Sequence, residues 1–332
     1  MTDNDLAQLA TLYYVDGLTQ DELSRHFSVS RASVGRLLRK AQEEGIVEIR
    51  VRPHASFAAD LERRLVARFG IKRALIAVDH KDAEKQRELL AGLVASELDR
   101  ILLDGSVVAV GMGRNVSAVS EHAVSATRRH CLFVSAIGGS YRGGQGMNAD
   151  HIARRLASRF GGDCESLYAP ALIADPVHRQ ALLENDTVRH TLEKARRADI
   201  ALIGIGDMSE DSNMVRMGWF SAQEISEAKR VGTVGDMMGY DFIDIHGQPA
   251  ATPMQGRVVG VSRNDLLRIP NVIAVAAESS KVTGILGALR TGAIDTLATT
   301  GVNALAVLSL DEAMRQPLPD GTETSRTSGN GT

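Results

Sequence analysis

Short apolar runs alternate with helix-length stretches over most of this chain, and that alternation restricts the fold more than any other feature. Strand-length runs rich in Val, Ile, Leu and Ala stand at 74–78, 107–111, 132–137, 200–205, 258–261, 272–276 and 296–298. Helices are predicted between most of them, at roughly 83–103, 115–128, 148–160, 178–196, 221–231, 279–292 and 301–309. Strands separated by helices pair in parallel through right-handed crossovers, so the pattern predicts a doubly wound α/β sheet. Composition agrees. Aromatic residues make up only 4% of the 332 residues, and small aliphatic side chains and glycine abound, as in parallel α/β proteins. The chain is long enough for two domains and a well-buried core.

The first fifty residues follow a different pattern. Thr19 followed three residues later by Glu22 is a capping box, so a helix is predicted to start at Gln20, with Leu23 and Phe27 as its buried stripe. Ser28, Val29 and Ser30 form a turn in which Ser28 or Ser30 can cap the next helix. On that second helix Val34, Leu37, Leu38 and Ala41 recur at helical spacing and face inward. The other face presents Arg31, Ser33, Arg36, Arg39 and Lys40, beside Ser30 and Ala32. This is the layout of a helix-turn-helix. Arg31 stands at the N-terminal end that meets base edges, and arginine suits guanine O6 and N7. Between Leu23 and Gln42 there are five Lys or Arg residues and no acidic ones, whereas both flanks are acidic. The stripe is focused, as site-specific reading of double-stranded operator DNA requires, and its acidic flanks leave the domain not basic overall, which argues against indiscriminate adhesion to phosphate; the net charge of −3 is unremarkable. A three-helix module that contacts protein is the bland alternative.

A preceding helix is expected to bury Leu6, Leu9, Leu12 and Tyr13, and Gly45 reads as the C-cap of the recognition helix. Residues 46–52 alternate well enough for a strand. Its Arg50 and Arg52 either reach the DNA backbone as a wing or sit solvated on an edge. The expected organisation is a DNA-binding domain over 1–52, a linker over 53–60, an effector-binding domain over 61–315 and a disordered tail over 316–332. Leu61, Leu65 and Phe69 mark a helix that closes at Gly70. Cys131 and Cys164 lack metal-ligand spacing, and no cofactor or metal is expected. No apolar run approaches bilayer length and the N-terminus is acidic, so a cytoplasmic protein is expected.

Ligands of open α/β sheets bind at the carboxyl ends of strands. Four such ends are chemically suggestive: Gly111-Met112-Gly113-Arg114-Asn115, Gly138-Gly139-Ser140, Gly204-Ile205-Gly206-Asp207, and Glu278-Ser279-Ser280-Lys281. Glycines let backbone N–H groups approach an anion, although a glycine-rich strand end is often only a tight turn. The first is no dinucleotide fingerprint, because Val116 replaces the third glycine. Gly235-Asp236-Met237-Met238-Gly239 reads as a separate loop whose carboxylate either grips a sugar diol or closes an Asx-turn.

Together these segments resemble the SorC family of sugar-responsive bacterial transcriptional regulators, over about residues 6–312. The resemblance is carried by GLTQDELSRHFSVSRASVGRLLRKAQEEGIVEI, VGMGRNVSAV, IGG, MNADHIARRLASRFGG, ADIALIGIGD, VGDMMGYDFIDIHG and IPNVIAVAAESSKVTGILGALRTG. It implies a Rossmann-like effector domain shared with sugar-phosphate isomerases, a tetramer, and a sugar effector that in most members is phosphorylated; the effector expected here is a sugar, polyol or sugar-phosphate. Carried over by position, the effector would meet Gly111, Gly113, Arg114, Asn115, Gly138, Gly139, Ser140, Asp236 and Lys281; Asp207 joins them as a strand-end carboxylate. Many members have Thr where Asn115 stands, a departure that bears on whether the effector carries a phosphate. The expected function is therefore an effector-gated regulator of a carbohydrate or polyol catabolism operon. An isomerase or deaminase on the same fold is the alternative, with Asp207, Asp236, His246 and a Schiff-base Lys281 as its available groups.

Overall fold

The computed structural model describes residues 3–43, 46–47, 55–125, 127–141, 145–210, 212–238 and 241–315. The chain divides into two compact units, Met1–Arg52 and Pro53–Thr332.

The first unit holds helices α1 (Asp3–Tyr14), α2 (Gln20–His26) and α3 (Arg31–Glu43). The Thr19–Glu22 capping box forms as the sequence dictates: Thr19 accepts from the Glu22 amide and Glu22 accepts from the Thr19 amide. Leu9, Leu23, Val34 and Leu38 make its core, with Leu12, Tyr13, Phe27 and Leu37 packed around them. Ser28 takes a left-handed backbone, φ 53°, so it serves as the turn residue. Ser30 is the cap, its Oγ accepting from the Ser33 amide. The expected C-cap at Gly45 and most of the expected strand at 46–52 lie outside the described residues, as does the tail from 316.

The second unit opens with α4 (Ala55–Phe69), followed by β1 (Arg73–Ala77), α5 (Ala83–Ile101), β2 (Val107–Val110), α6 (Arg114–His122) and β3 (Leu132–Ser135). Next come α7 (Ala149–Phe160), β4 (Asp163–Glu165), α8 (Pro176–Glu184), α9 (Asp186–Arg196) and β5 (Ile200–Asp207). After these stand α10 (Asn213–Arg216), α11 (Ala222–Arg230), the hairpin β6 (Thr233–Met237) and β7 (Asp241–Asp244), and α12 (Arg263–Leu266). The described chain closes with β8 (Asn271–Ala276), a 3₁₀ turn Ser279–Lys281, α13 (Val282–Arg290), β9 (Thr296–Thr300) and α14 (Gly301–Ala313). The parallel sheet runs β1-β9-β8-β5-β2-β3-β4. From β2 the chain winds outward to β3 and β4, and from β5 to β8 and β9. The adjacent β2 and β5 therefore flank the switch point, where an open sheet leaves a crevice.

Both faces of the sheet are covered. Val108, Val110, Phe133, Leu202 and Val275 point to the α5–α6–α7 layer, packing on Leu90, Val119, Leu156 and Phe160. Ala109, Val134, Ile203, Ala274 and Leu297 point the other way, toward Leu61 and Leu65 of α4, Ile285 and Leu289 of α13 and Val307 of α14. A buried carboxylate ties that second layer together. Asp311 on α14 accepts from Arg68 of α4 at 3.0 Å and from Arg290 of α13 at 2.7 Å. Burial works to raise this carboxyl, but the two guanidinium groups outweigh it and hold it below the ordinary aspartate value.

Several expectations need correction. Residues 55–60 are the first turns of α4 and not linker, because Leu61 and Leu65 need a helix around them to bury fully. Residues 178–196 are two helices broken at Asn185, whose side chain accepts from the Thr187 and Val188 amides and starts the second. Residues 258–261 form isolated bridges with Ile137 and Leu172 and no ladder. Gly235, Asp236 and Met237 lie in β6, which pairs antiparallel with β5 and β7, and are not a loop. Asp244 turns the chain, its Oδ1 accepting from the His246 and Gln248 amides.

Candidate functional site

In the first unit, the face of α3 opposite Val34, Leu38 and Ala41 carries the charge. Arg31, Arg36, Arg39 and Lys40 are exposed, with Ser30 also exposed and Ser33 half-buried beside them. Arg36 Nη2 donates to Ser33 Oγ at 3.1 Å, and Ser33 in turn shares a hydrogen bond with Ser30. Arg31 lies 3.7 Å from Asp21 in an open surface pair, an arrangement weak enough to be exchanged for another anion. All six residues read as DNA contacts from the sequence thus lie on or beside one solvent-facing surface of this unit.

In the second unit, a cavity of about 260 Å³ opens at the carboxyl ends of β2 and β5. It is lined by the Met112–Val116 turn into α6, the Gly204–Asp207 end of β5, Asp236 of β6, Lys281, and the apolar side chains of Trp219, Met214 and Met217. Gly113 has φ 112°, a conformation that requires glycine, and starts α6 without a side-chain cap. Gly206 has no room for a side chain. A Cβ there would sit 1.8 Å from Asp236 Oδ2, so the missing Cβ lets the Asp236 carboxylate lie across β5.

Glu278, just outside the lining, organises the polar end. It accepts from Asn115 Nδ2 at 2.8 Å, pairs with Lys281 Nζ at 2.9 Å, and has Arg87 Nη2 at 3.4 Å and Arg114 Nη2 at 3.8 Å. Burial alone would raise the Glu278 carboxyl; the Lys281 ammonium and the Asn115 amide overcome it and lower the group to about 2. Asn115 is 4% exposed, and its Oδ1 has no hydrogen-bond partner among the described residues. Asp207 is also engaged: Oδ1 accepts from the Ser209 amide at 3.0 Å and Oδ2 from the Ser280 hydroxyl.

Of the effector residues expected from the sequence, Gly113, Arg114, Asn115, Asp207, Asp236 and Lys281 line this cavity. Gly111 does not. Its amide donates to Leu202 O at 2.8 Å, and it serves the close approach of β2 to β5. Gly138 and Gly139 do not either: their amides are committed to Val259 O and Ala169 O, so this turn is a structural bridge and no anion cradle. Ser140 lines a separate cavity with Asn148, His151 and Tyr168, and touches the main one only by accepting from Trp219 Nε1 at 3.2 Å. Sequence reasoning missed Trp219, Met238 and the role of Glu278. Trp219 is the chain's single tryptophan, a signal that was there to read. Met238, with φ 63°, is a non-glycine residue held left-handed at the cavity wall, and only coordinates reveal such strain.

Comparison with known proteins places this geometry. Residues 53–309 match the sugar-binding domain family (Sugar-bind), and residues 1–55 match the MarR family. The full-length sorbitol operon regulator SorC from Klebsiella pneumoniae superposes with a TM-score of 0.72 at 26% identity, over 92% of this chain and 98% of that one. The sugar-binding domain of a transcriptional repressor from Vibrio fischeri gives a TM-score of 0.72 at 50% identity, over 76% of this chain and 99% of that one. The erythritol catabolism regulatory protein EryD of Brucella abortus is 27% identical over 311 residues, covering 92% of this chain and 97% of its own length. With a family match over 53–309, a DNA-binding match before it and relatives aligned almost end to end, the chain belongs to the SorC family of transcriptional regulators.

Proposed function

We propose that the protein is a sequence-specific regulator of a sugar or polyol catabolism operon, gated by a small polyhydroxylated effector in the β2–β5 cavity. The observation that carries the reading is that one chain combines an exposed basic helix face with a polar cavity at a sheet switch point. Arg31 and Arg36 are assigned to base edges, Ser30, Ser33 and Arg39 to the same groove, and Lys40 to phosphate. Gly113, Arg114, Asn115, Asp207, Asp236 and Lys281 are assigned to the effector. One recognition helix spans too few bases for a genomic address, so the working form is a homo-oligomer, taken as a tetramer, on paired half-sites. Gating then requires that the effector bind the DNA-competent and incompetent states with different affinity.

We read the protein as a binder and not an enzyme. Its named relatives are transcriptional regulators. A Schiff-base lysine must be available as a free amine, whereas Lys281 is ion-paired with Glu278. No described helix is long and apolar enough to cross a membrane, and the cytoplasm is the compartment proposed.

Selection of bound sequences from a random DNA pool, followed by Arg36→Ala, tests the assignment. The wild type should enrich a two-half-site motif. Arg36→Ala should lower affinity for it by about 1–3 kcal/mol and relax one position in each half-site. An unchanged affinity would remove α3 as the reading helix.

A further inference from the structure

The hydrogen-bonding valence of the cavity narrows the effector class. Asn115 must direct Nδ2 at Glu278, because a carboxylate only accepts; that leaves Oδ1, a buried acceptor, without a partner among the described residues. Such an atom calls for an O–H or N–H donor. A hydroxyl of a sugar or polyol supplies one, whereas the phosphate group of an ester presents only acceptors and cannot satisfy this atom. Asp207 and Asp236 add two carboxylates to the same lining.

The protein's own carboxylate answers part of the positive charge at this end of the cavity. Lys281 is paired with Glu278, and the same carboxylate draws on Arg114 and Arg87. Glu278 also meets Asn115 in the first turn of α6, so the protein's own carboxylate occupies the neighbourhood where a helix start would favour an anion. Arg216 is the lining cation without a place in this cluster, and it faces a cavity that also holds two aspartates.

We propose that the effector is an uncharged polyhydroxylated molecule, and that Glu278 excludes its phosphate esters by standing where the phosphate's counter-charges would be needed. The proposal rests on the reading of this cavity as the effector site. Asn115 accepts from an effector hydroxyl, Asp207 and Asp236 accept from others, and Glu278 is the specificity-determining residue without touching the ligand.

The full-length protein is titrated calorimetrically, and its melting temperature followed, with linear polyols from glycerol to sorbitol, the common aldoses, their monophosphates, and inorganic phosphate. One free polyol or sugar should bind, with its monophosphate weaker by roughly tenfold or more, as expected for a dianion brought beside a carboxylate. Glu278→Gln keeps the shape and removes the charge. It should narrow that ratio by roughly tenfold and make the protein respond to inorganic phosphate. Wild-type affinity for the effector should also be independent of ionic strength, a readout that needs no variant. A phosphate ester that binds more tightly than its parent leaves the effector site standing and overturns the exclusion by Glu278. So does a ratio that Glu278→Gln leaves unchanged, or an effector affinity that falls with salt. If no compound of either class moves the melting temperature, the cavity is not the effector site and the proposal falls with that reading.

Discussion

A single residue, Glu278, connects the chemistry of the cavity to the stability of the fold. Its carboxyl titrates at about 2 in the folded protein against an ordinary value of 4.5, so the folded state binds its proton more weakly than the unfolded chain does. The stability it contributes is complete above the unfolded value and is lost as pH falls from 4.5 toward 2. At 1.36 kcal/mol per pKa unit the loss is at most about 3 kcal/mol. Acid unfolding monitored by circular dichroism should show a shallower decline over this range in Glu278→Gln than in the wild type. Equal slopes would mean that Glu278 is not held ionised by its partners. The site was only partly legible at this scale. Asn115 and Asp207 stand at glycine-marked ends of apolar runs and Lys281 just after another such run, where open sheets bind ligands, so their types and positions pointed to the cavity, while Asp236 reads only as a loop carboxylate between glycines. Glu278 stands out in the sequence only as the first residue of one strand end, because its hydrogen-bond partner Asn115 is 163 residues away in sequence. Gly138 and Gly139 carried the same glycine signal as Gly113, yet their amides are used up by Val259 and Ala169, which local sequence cannot reveal.

Secondary-structure elements make a stricter test of the packing. The core strands were legible because apolar runs of strand length between helices have few other folds. The β6–β7 hairpin was not, because Gly235-Asp236-Met237-Met238-Gly239 has the composition of a loop. Its glycine serves close packing: a Cβ at Gly235 would lie 2.7 Å from both Gly206 O and Gly284 Cα. Both are backbone atoms of elements packed on either side, so neither can move aside cheaply. Gly235→Ala should cost about 1–3 kcal/mol by urea denaturation and weaken effector binding, since it displaces Asp236 from β5. A neutral substitution would contradict the packing of α13 on this hairpin. The strand β4 escaped notice because Asp163–Glu165 has no apolar pattern and lies at the sheet edge. The Asp311 cluster is the corresponding test for the helical layer. Asp311→Ala strands Arg68 and Arg290 against α14 and should destabilise the second unit by about 3 kcal/mol. Little change in the unfolding midpoint would show that the ion cluster does not tie α4 to α13 and α14.

At the scale of the whole molecule, the family assignment and the two compact units define a regulator with separate input and output parts. The division of the chain into a short capped helical module and a long α/β body was visible in the change of hydrophobic period near residue 53. What the body binds was not visible there, because one sheet topology serves many ligands. The central claim is that effector in the cavity changes DNA affinity, and one titration tests it directly. Fluorescence anisotropy of the selected operator is measured with and without saturating effector, for the wild type and for Asp236→Asn. Coupling of about 1–3 kcal/mol, or 5- to 150-fold in operator affinity, is expected for the wild type, and little or none for the variant. The same operator affinity with and without saturating effector in the wild type would contradict the account.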